Sequence, residues 1–379
     1  MASRFAFRVQ VIARAIGHLA ATRLAATTGR RAPSAAPKRI LIAHHLLLGD
    51  TIMLTPLVAK LRERHPDAEI VMTVPRAYAP LYAGRPYGVA VLPYNPRDAA
   101  SFPAAASARG FDLAYVPGDN RYSWLAAALG SRWIVAFAGD RPAYKSWPVD
   151  EQRMYSDTPM AWGDMVAQLA DGPAPAPYHL SRWPAPPCKP FARPEGRYCV
   201  FHLGASSALK FWPTERWATF ADLLAAEGYR IVFTPGRGEE HLVRAVDPQG
   251  RHTSLDLDLA QLWHLLAGAS LVVSPDTGVA HLARLVGAPA VTLFGPGAAQ
   301  LFGAGEFWRN SPWIPVTAPD FPCRDQRKLF KRELAWVRRC VRSTRECARP
   351  ACMDAISVKM VRDAADKLLA ASRAGAAVS

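Results

Sequence analysis

No acidic residue occurs in the first 49 positions of this 379-residue chain, and Asp50 is its first carboxylate. Over that stretch Arg4, Arg8, Arg14, Arg23, Arg30, Arg31, Lys38 and Arg39 stand unopposed, and a second cationic run lies between 324 and 349. With a formal net charge of +15, the chain calls for anionic partners. The nucleic-acid reading is set aside, because no zinc finger, RNP motif or aromatic-interleaved basic strand is present. An acidic membrane face or a phosphorylated glycolipid fits the same charge.

Long hydrophobic runs are also missing. Arg, Pro, Gly or a polar residue interrupts every candidate before the roughly 18 residues that a membrane-spanning helix needs. Cysteine is scarce: Cys188, Cys199, Cys323, Cys340, Cys347 and Cys352 are too few for a disulfide framework in a chain this long, which favours a reducing compartment. The irregular spacing of the last four matches no standard zinc motif, so unligated thiols are favoured over a structural metal. No GxGxxG follows the first apolar strand, and there is no Walker A loop, GxSxG elbow or HExxH helix. Dinucleotide oxidoreductases, P-loop enzymes, α/β hydrolases and zincins are thereby disfavoured.

What remains is 50% hydrophobic and longer than one core usually supports, so two domains are expected. Apolar strands alternate with amphipathic helices. Strand 39–44, helix 51–65 and strand 69–74 form one βαβ unit, and 111–116, 122–129 and 133–138 form another. The alternation stops in a proline-rich stretch and restarts with strand 198–203, helix 215–227 and strand 230–234. Helices 239–246 and 259–267, a strand-turn-helix at 270–287 and strand 290–294 complete it, with a last helix over 354–371. The expected division is a basic N-terminal extension 1–38, a first domain 39–171, a linker 172–196, a second domain 197–353 and a C-terminal helix and tail 354–379. Two Rossmann-like, doubly wound parallel sheets facing a cleft are the economical α/β architecture. Within the extension, Phe5, Ile12, Ile16 and Leu19 sit at near-helical spacing among arginines, which suits a helix in a membrane interface. A solvated tail and an organellar transit peptide are the alternatives, while a secretory signal is disfavoured.

Four loops fall at the carboxyl ends of expected strands, where open α/β sheets bind ligands. In Leu47-Leu48-Gly49-Asp50-Thr51, Asp50 is either a helix cap or a carboxylate base. In His202 to Pro213, the Gly204-Ala205-Ser206-Ser207 turn offers N–H and hydroxyl donors, and Lys210 offers a point charge for a diphosphate. The third loop, Thr234 to Glu240, can wrap a base and ribose, a carboxylate accepting from sugar hydroxyls. The fourth, Ser274-Pro275-Asp276-Thr277-Gly278, starts a helix carrying His281 in its first turn. Unpaired N–H groups at that helix start attract an anion, although a capped helix after a buried strand is an equal reading of the stretch alone.

Taken together, ILIAHHLLLGDTIMLTP, FHLGASSALKFWPTERW, VFTPGRGE and SPDTGVAHLARLVGAPAVTLFGP resemble glycosyltransferase family 9, the ADP-heptose:lipopolysaccharide heptosyltransferases, in order and spacing over roughly residues 39 to 300. The resemblance implies a GT-B fold whose second domain holds the nucleotide-sugar donor and whose last helix crosses back to the first domain. It implies inverting transfer from an ADP-linked donor to a lipopolysaccharide core or similar anionic glycolipid. By the same resemblance Asp50 is the general base, and Ser206, Lys210, Asp276, Thr277, Gly278 and His281 attend the diphosphate. Glu239 falls at the ribose, and Arg121 is the candidate acceptor contact. No metal or other cofactor is implied, and the enzyme is expected in the cytoplasm, with contact to the inner membrane through its basic segments. Three departures from the family bear on the acceptor: His44-His45 before the turn, the basic insertion after Cys323, and the N-terminal extension. They leave open a non-catalytic nucleotide-sugar-binding or assembly protein of the same fold. An epimerase acting on a free nucleotide sugar is a third reading, which the Leu-Gly-Asp turn disfavours.

Overall fold

A long helix, α1 (Ala2–Ala25), precedes the first strand. In this computed structural model residues 2–25, 32–98, 101–102, 108–319 and 321–376 are described; residue 1 and residues 26–31 of the N-terminal extension lie outside them. Two units form, residues 1–184 with 328–335 and residues 185–327 with 336–379.

In the first unit β1 (Arg39–Ile42) starts at half-buried Arg39 and then runs apolar and buried through Ile40, Leu41 and Ile42, as a central parallel strand must. It leads into α2 (Leu48–Ile52) and α3 (Thr55–Arg64), two helices where the sequence suggests one. The break comes at Met53-Leu54, and Pro56 restarts the helix in its first turn, where its missing N–H costs nothing. Strands β2 (Glu69–Val74), β3 (Val89–Pro93), β4 (Leu113–Val116), β5 (Trp133–Phe137) and β6 (Glu151–Arg153) complete a parallel sheet. Between β4 and β5 lies α4 (Tyr122–Ala128), and α5 (Trp162–Ala167) follows β6. The strand order is β3-β2-β1-β4-β5-β6, the doubly wound order with its switch point between β1 and β4.

The second unit repeats this plan. β7 (Tyr198–Phe201), α6 (Thr214–Ala226), β8 (Arg230–Phe233), α7 (Glu240–Val246), β9 (Thr253–Ser254), α8 (Leu259–Ala267), β10 (Leu271–Pro275), α9 (Gly278–Leu285), β11 (Ala290–Phe294) and β12 (Trp313–Thr317) follow one another. Their order, β12-β11-β10-β7-β8-β9, puts the switch point between β7 and β10. The α/β, GT-B architecture of two parallel six-stranded sheets is thus as expected. The edge strands β3, β6, β9 and β12 were not: all are partly exposed, β6 and β9 are short and polar, and β3 and β12 are apolar but contain proline.

One expectation is corrected. On α1, Val11, Ala15 and Leu19 form the buried stripe, packing with Leu125 to Leu129 in the core of the first unit. This helix is therefore part of a protein core along one face, and His18 Nε2 donates to the Ser131 carbonyl at 2.9 Å. Ile12 and Ile16 stay 42% and 53% exposed. The extension was misread because alanine carries little hydropathy yet lets two helices approach closely. The last helix, α10 (Val358–Ala376), packs on the second unit, where Val361, Ala365, Leu368 and Leu369 join Phe201, Leu271 and Val291 in one core.

The basic insertion after Cys323 contributes to the first unit. β13 (Lys328–Leu329) and β14 (Arg332–Glu333) pair antiparallel about Phe330 and Lys331, both at positive φ (43° and 67°). A tight hairpin demands that conformation and glycine would normally supply it. Phe330 lies on Trp162 at 4.8 Å between ring centroids. Arg332, 3% exposed, donates to the carbonyls of Ala138 (2.7 Å), Gly118 (3.0 Å) and Phe137 (3.1 Å) and to Asn120 Oδ1 (2.7 Å).

Candidate active site

At the switch point of the second unit, the loops after β7 and β10 meet. Lys210 ends a single turn whose cap is Ser207, which accepts from the Leu209 N–H. Its Nζ reaches Asp276, 2.7 Å from the carbonyl oxygen and 2.9 Å from Oδ2. Sixty-six residues separate the pair in sequence, and only the crossover brings them together. Asp276 is buried, and Gly297, from the loop after β11, leaves room for its carboxylate: a Cβ there would stand 2.6 Å from Oδ2.

Beyond Asp276, Thr277 is the extended N-cap of α9, but its side chain makes no cap bond. Its buried hydroxyl has no hydrogen-bond partner among the described residues. Gly278 opens the helix, whose first N–H groups lack intrahelical acceptors. One turn on, buried His281 accepts at Nδ1 from Arg284 Nη2, 2.7 Å away. Burial first, then the charges of Arg284 and Lys210, hold the imidazole well below its usual range. A neutral ring that accepts at Nδ1 carries its proton on Nε2, so His281 is a hydrogen-bond donor at neutral pH. The sequence reading missed Arg284, which is itself buried against Trp308 and Trp313, 5.3 and 5.4 Å from their ring centroids.

Glu239 lies in the third loop, at the start of α7. It accepts from the Gly236 N–H at 2.8 Å and rests against Gly204 of the second loop, where a Cβ would stand 1.8 Å from Oε2. The two loops thus share one carboxylate. His202, buried beside them, donates from Nδ1 to the Thr234 carbonyl at 2.6 Å. Ser206 stays exposed on the same loop.

In the first unit Asp50 and Arg121 follow β1 and β4, the two strands flanking that sheet's switch point. Leu47 is the N-cap of α2, so Asp50, in its first turn, is not the cap. Asp50 is half-buried and stands near Tyr78, whose phenol burial pushes up and the Asp50 charge pushes further. The two histidines before it diverge. His44 is buried, accepts from the Leu46 N–H at Nδ1 (3.2 Å), and is pushed down to about 3 by burial and by His45. His45 is half-exposed and meets Tyr94 edge-on. Arg121 pairs with Asp119 at 2.7 Å. Burial raises the Asp119 carboxyl, but hydrogen bonds from Arg121 and Lys145 outweigh it and hold the group at about 2.

A family model for glycosyltransferase family 9 (heptosyltransferase) matches residues 109–331. The chain belongs to glycosyltransferase family 9. It is 25% identical over 333 residues to lipopolysaccharide heptosyltransferase 1 of Pseudomonas aeruginosa, covering 78% of this chain and 92% of that one. Among solved structures, the ADP-heptose lipopolysaccharide heptosyltransferase II of Escherichia coli superposes with a TM-score of 0.66 at 18% identity, over 89% of this chain and 99% of its own. TibC of enterotoxigenic E. coli, a dodecameric iron-containing heptosyltransferase solved with ADP-D-β-D-heptose, reaches 0.54 at 17% identity, over 89% and 77% of the two chains. Among the described residues of this family 9 glycosyltransferase no group of three or more His, Cys, Asp or Glu side chains could hold a metal ion, and the six cysteines are free thiols.

Proposed function

We propose that this glycosyltransferase moves a heptose, with inversion, from an ADP-linked donor to a hydroxyl of a lipopolysaccharide core or similar glycan. The observation that carries the reading is the cluster at the β7/β10 switch point. There Lys210, the start of α9 and the Nε2–H of His281 stand on neighbouring loops, with Asp276 holding Lys210 in place. A diphosphate is the ligand such a group suits. Relatives named as lipopolysaccharide heptosyltransferases, and neighbours solved with ADP-heptose, support the sugar and the nucleotide.

In this reading Asp50 takes the proton from the acceptor hydroxyl as its oxygen attacks the anomeric carbon. The bond from that carbon to the diphosphate breaks on the opposite face, so one displacement inverts the centre. The negative charge growing on the leaving ADP is met by Lys210 and by the donors at the α9 terminus, and Glu239 accepts from the ribose hydroxyls. Arg121 serves the acceptor, and Ser206 stands at the edge of the donor loop. A binding-only protein of the same fold is the alternative reading; burial of His44 makes that half of the departure before the turn a packing feature, while His45 stays half-exposed. Reaction at the cytoplasmic membrane face belongs to the same reading, supported by the acid-free first 49 residues. Among the described helices none is long and apolar enough to cross a membrane. Failure to sediment with anionic vesicles at low salt would remove that part.

Asp50→Asn tests the chemistry. Loss of a positioned general base costs on the order of 10²–10⁴ in kcat, while ADP affinity stays within twofold. Turnover within a few-fold of the parent enzyme would end the assignment.

A further inference from the structure

Arg284, 1% exposed, takes no part in the steps above. It lies in the last turn of α9, three residues after His281, so the two side chains share one face of the helix. Its Nη2 stands 2.7 Å from His281 Nδ1. A guanidinium has donors only, so Nδ1 accepts and the neutral ring carries its proton on Nε2. That polarity reverses the ordinary one, in which Nδ1–H donates to a carbonyl or carboxylate and Nε2 is left as an acceptor. His202, on the loop after β7, shows the ordinary form, with Nδ1 donating to the Thr234 carbonyl at 2.6 Å. An acceptor repels phosphate oxygens, whereas an Nε2–H attracts them. The Nε2 of His281 makes no hydrogen bond among the described residues, in a side chain only 6% exposed.

The guanidinium is itself held in place. It lies over the rings of Trp308 and Trp313, contacts that offset part of the cost of burying its charge. Trp313 is anchored in turn, its indole N–H donating to Thr292 Oγ1 on β11 at 2.8 Å. Asp276, His281, Arg284, Thr292 and Trp313 border one small gap, so a line of contacts runs from the sheet to the residue that holds Lys210. Burial first, then the charges of Arg284 and Lys210, keep the imidazole neutral. The other elements packed on α9 bring few titrating groups. β11 has none, β10 runs into Asp276, and His264 of α8 is bonded to the Pro186 carbonyl at 2.7 Å. Around the tryptophans, Glu306 and Arg309 are exposed and pair at 3.6 Å, and Arg339 lies over the ring of Phe302, which also lines the gap.

We propose that Arg284 is a positioning residue for the donor diphosphate: by occupying Nδ1 of His281 it fixes the proton on Nε2, so that the ring meets the departing phosphate as a neutral donor. The inference rests on the transferase reading above and adds to it a residue that acts only through another. Without Arg284 the ring is free to hold its proton on either nitrogen, and in one of the two forms it presents a lone pair to the phosphate oxygens.

The test reads the ring directly, in the full chain carrying nitrogen-15-labelled histidine. The His281 signals are those lost in His281→Phe, and in the parent they should show a neutral ring with Nδ1 unprotonated from about pH 5.5 to 8. Arg284→Met removes the donor at similar side-chain length, and His281 should then show both tautomers or take up a proton within that range. Arg284→Gln, gentler on packing, should move the signals the same way. Binding of ADP-heptose, followed by calorimetry without acceptor, should weaken about tenfold or more in Arg284→Met. Adding Arg284→Met to His281→Phe should change it by less than about twofold, because the effect passes through the ring. A proton on Nδ1 of His281 in the parent overturns the proposal whether or not any Arg284 variant folds. An equal loss of affinity in both backgrounds overturns it too, even if transfer proceeds. Losses coupled as expected, in a protein that transfers to no glycan, support Arg284 and sink the transferase reading instead; a parent that binds no ADP-heptose sinks both.

Discussion

Replacing Gly204 with alanine should damage donor binding while leaving the fold nearly intact. A Cβ at 204 would lie 1.8 Å from Oε2 of Glu239, 2.1 Å from its Cδ and 2.3 Å from Oε1. Such contacts force a shift of an ångström or more, but the obstructing atoms are the free end of a flexible side chain. Glu239 therefore swings away and loses the bond from the Gly236 N–H, 2.8 Å long in the parent. A hydrogen bond to a charged group is worth about 1.5–3 kcal/mol. Gly204 does not need a positive φ, so alanine returns about 0.4–1 kcal/mol by restricting the unfolded chain. The net loss of stability is then about 0.5–2.6 kcal/mol. If Glu239 holds the ribose, misplacing it removes one charged contact from the ligand, which is roughly a 10- to 150-fold weakening at 1.4 kcal/mol per decade. Calorimetric titration of ADP into the parent, Gly204→Ala, Glu239→Ala and the double variant reads this directly. Without the Glu239 carboxylate the new methyl has nothing to displace, so Gly204→Ala should be nearly silent in the Glu239→Ala background. An equal loss in both backgrounds would refute the argument.

Two further outcomes concern stability. Arg332→Met should cost about 3–5 kcal/mol, the usual penalty for breaking a buried ionic network, because it strips donors from three carbonyls and Asn120; a urea-unfolding loss below about 1 kcal/mol would show the hairpin to be ornamental. His44, held at about 3 when folded against 6.5 as the ordinary value, binds its proton more readily unfolded. Its contribution is complete above pH 6.5 and is lost as pH falls toward 3, at up to about 1.4 kcal/mol per pH unit. Between pH 7 and 5 that amounts to about 2 kcal/mol, and His44→Asn, which keeps an acceptor for the Leu46 N–H, should flatten this share of the acid sensitivity. Parallel stability curves for parent and variant would dismiss it.

Much of the fold was legible because both sheets have central strands that are buried on both faces. Such strands must be apolar throughout, and 39–44, 198–203 and 270–275 announce themselves. The helices between them were recognised by their periodicity, apart from the break before Pro56. Edge strands escaped because half their residues meet water and their pairing is set by neighbours distant in sequence. The hairpin escaped for a different reason: its residues are basic and its turn carries Phe330 and Lys331 where glycine is the usual signal. α1 escaped because its packing stripe is built from Val11, Ala15 and Leu19, while the more conspicuous Ile12 and Ile16 face outward. In the candidate site of the second unit the loop residues could be named individually from the strand ends they follow. Their partners could not, since Arg284 reads as an ordinary surface cation and nothing local tells Glu239 that Gly204 lies beneath it.

By itself the sequence determined the architecture and the candidate loops, because those depend on apolar period and on small residues at strand ends, which are local properties; the family followed from the resemblance of those loops in order and spacing. The tertiary structure alone decided that Lys210 is held by Asp276 and that His281 is neutral with its proton on Nε2. It also decided that His44 is buried while His45 stays half-exposed, and that Val11, Ala15 and Leu19 of the N-terminal helix join the core of the first unit. Each of those facts depends on burial and on groups tens of residues apart meeting at a switch point, and neither burial nor crossover adjacency is written in any short stretch of chain.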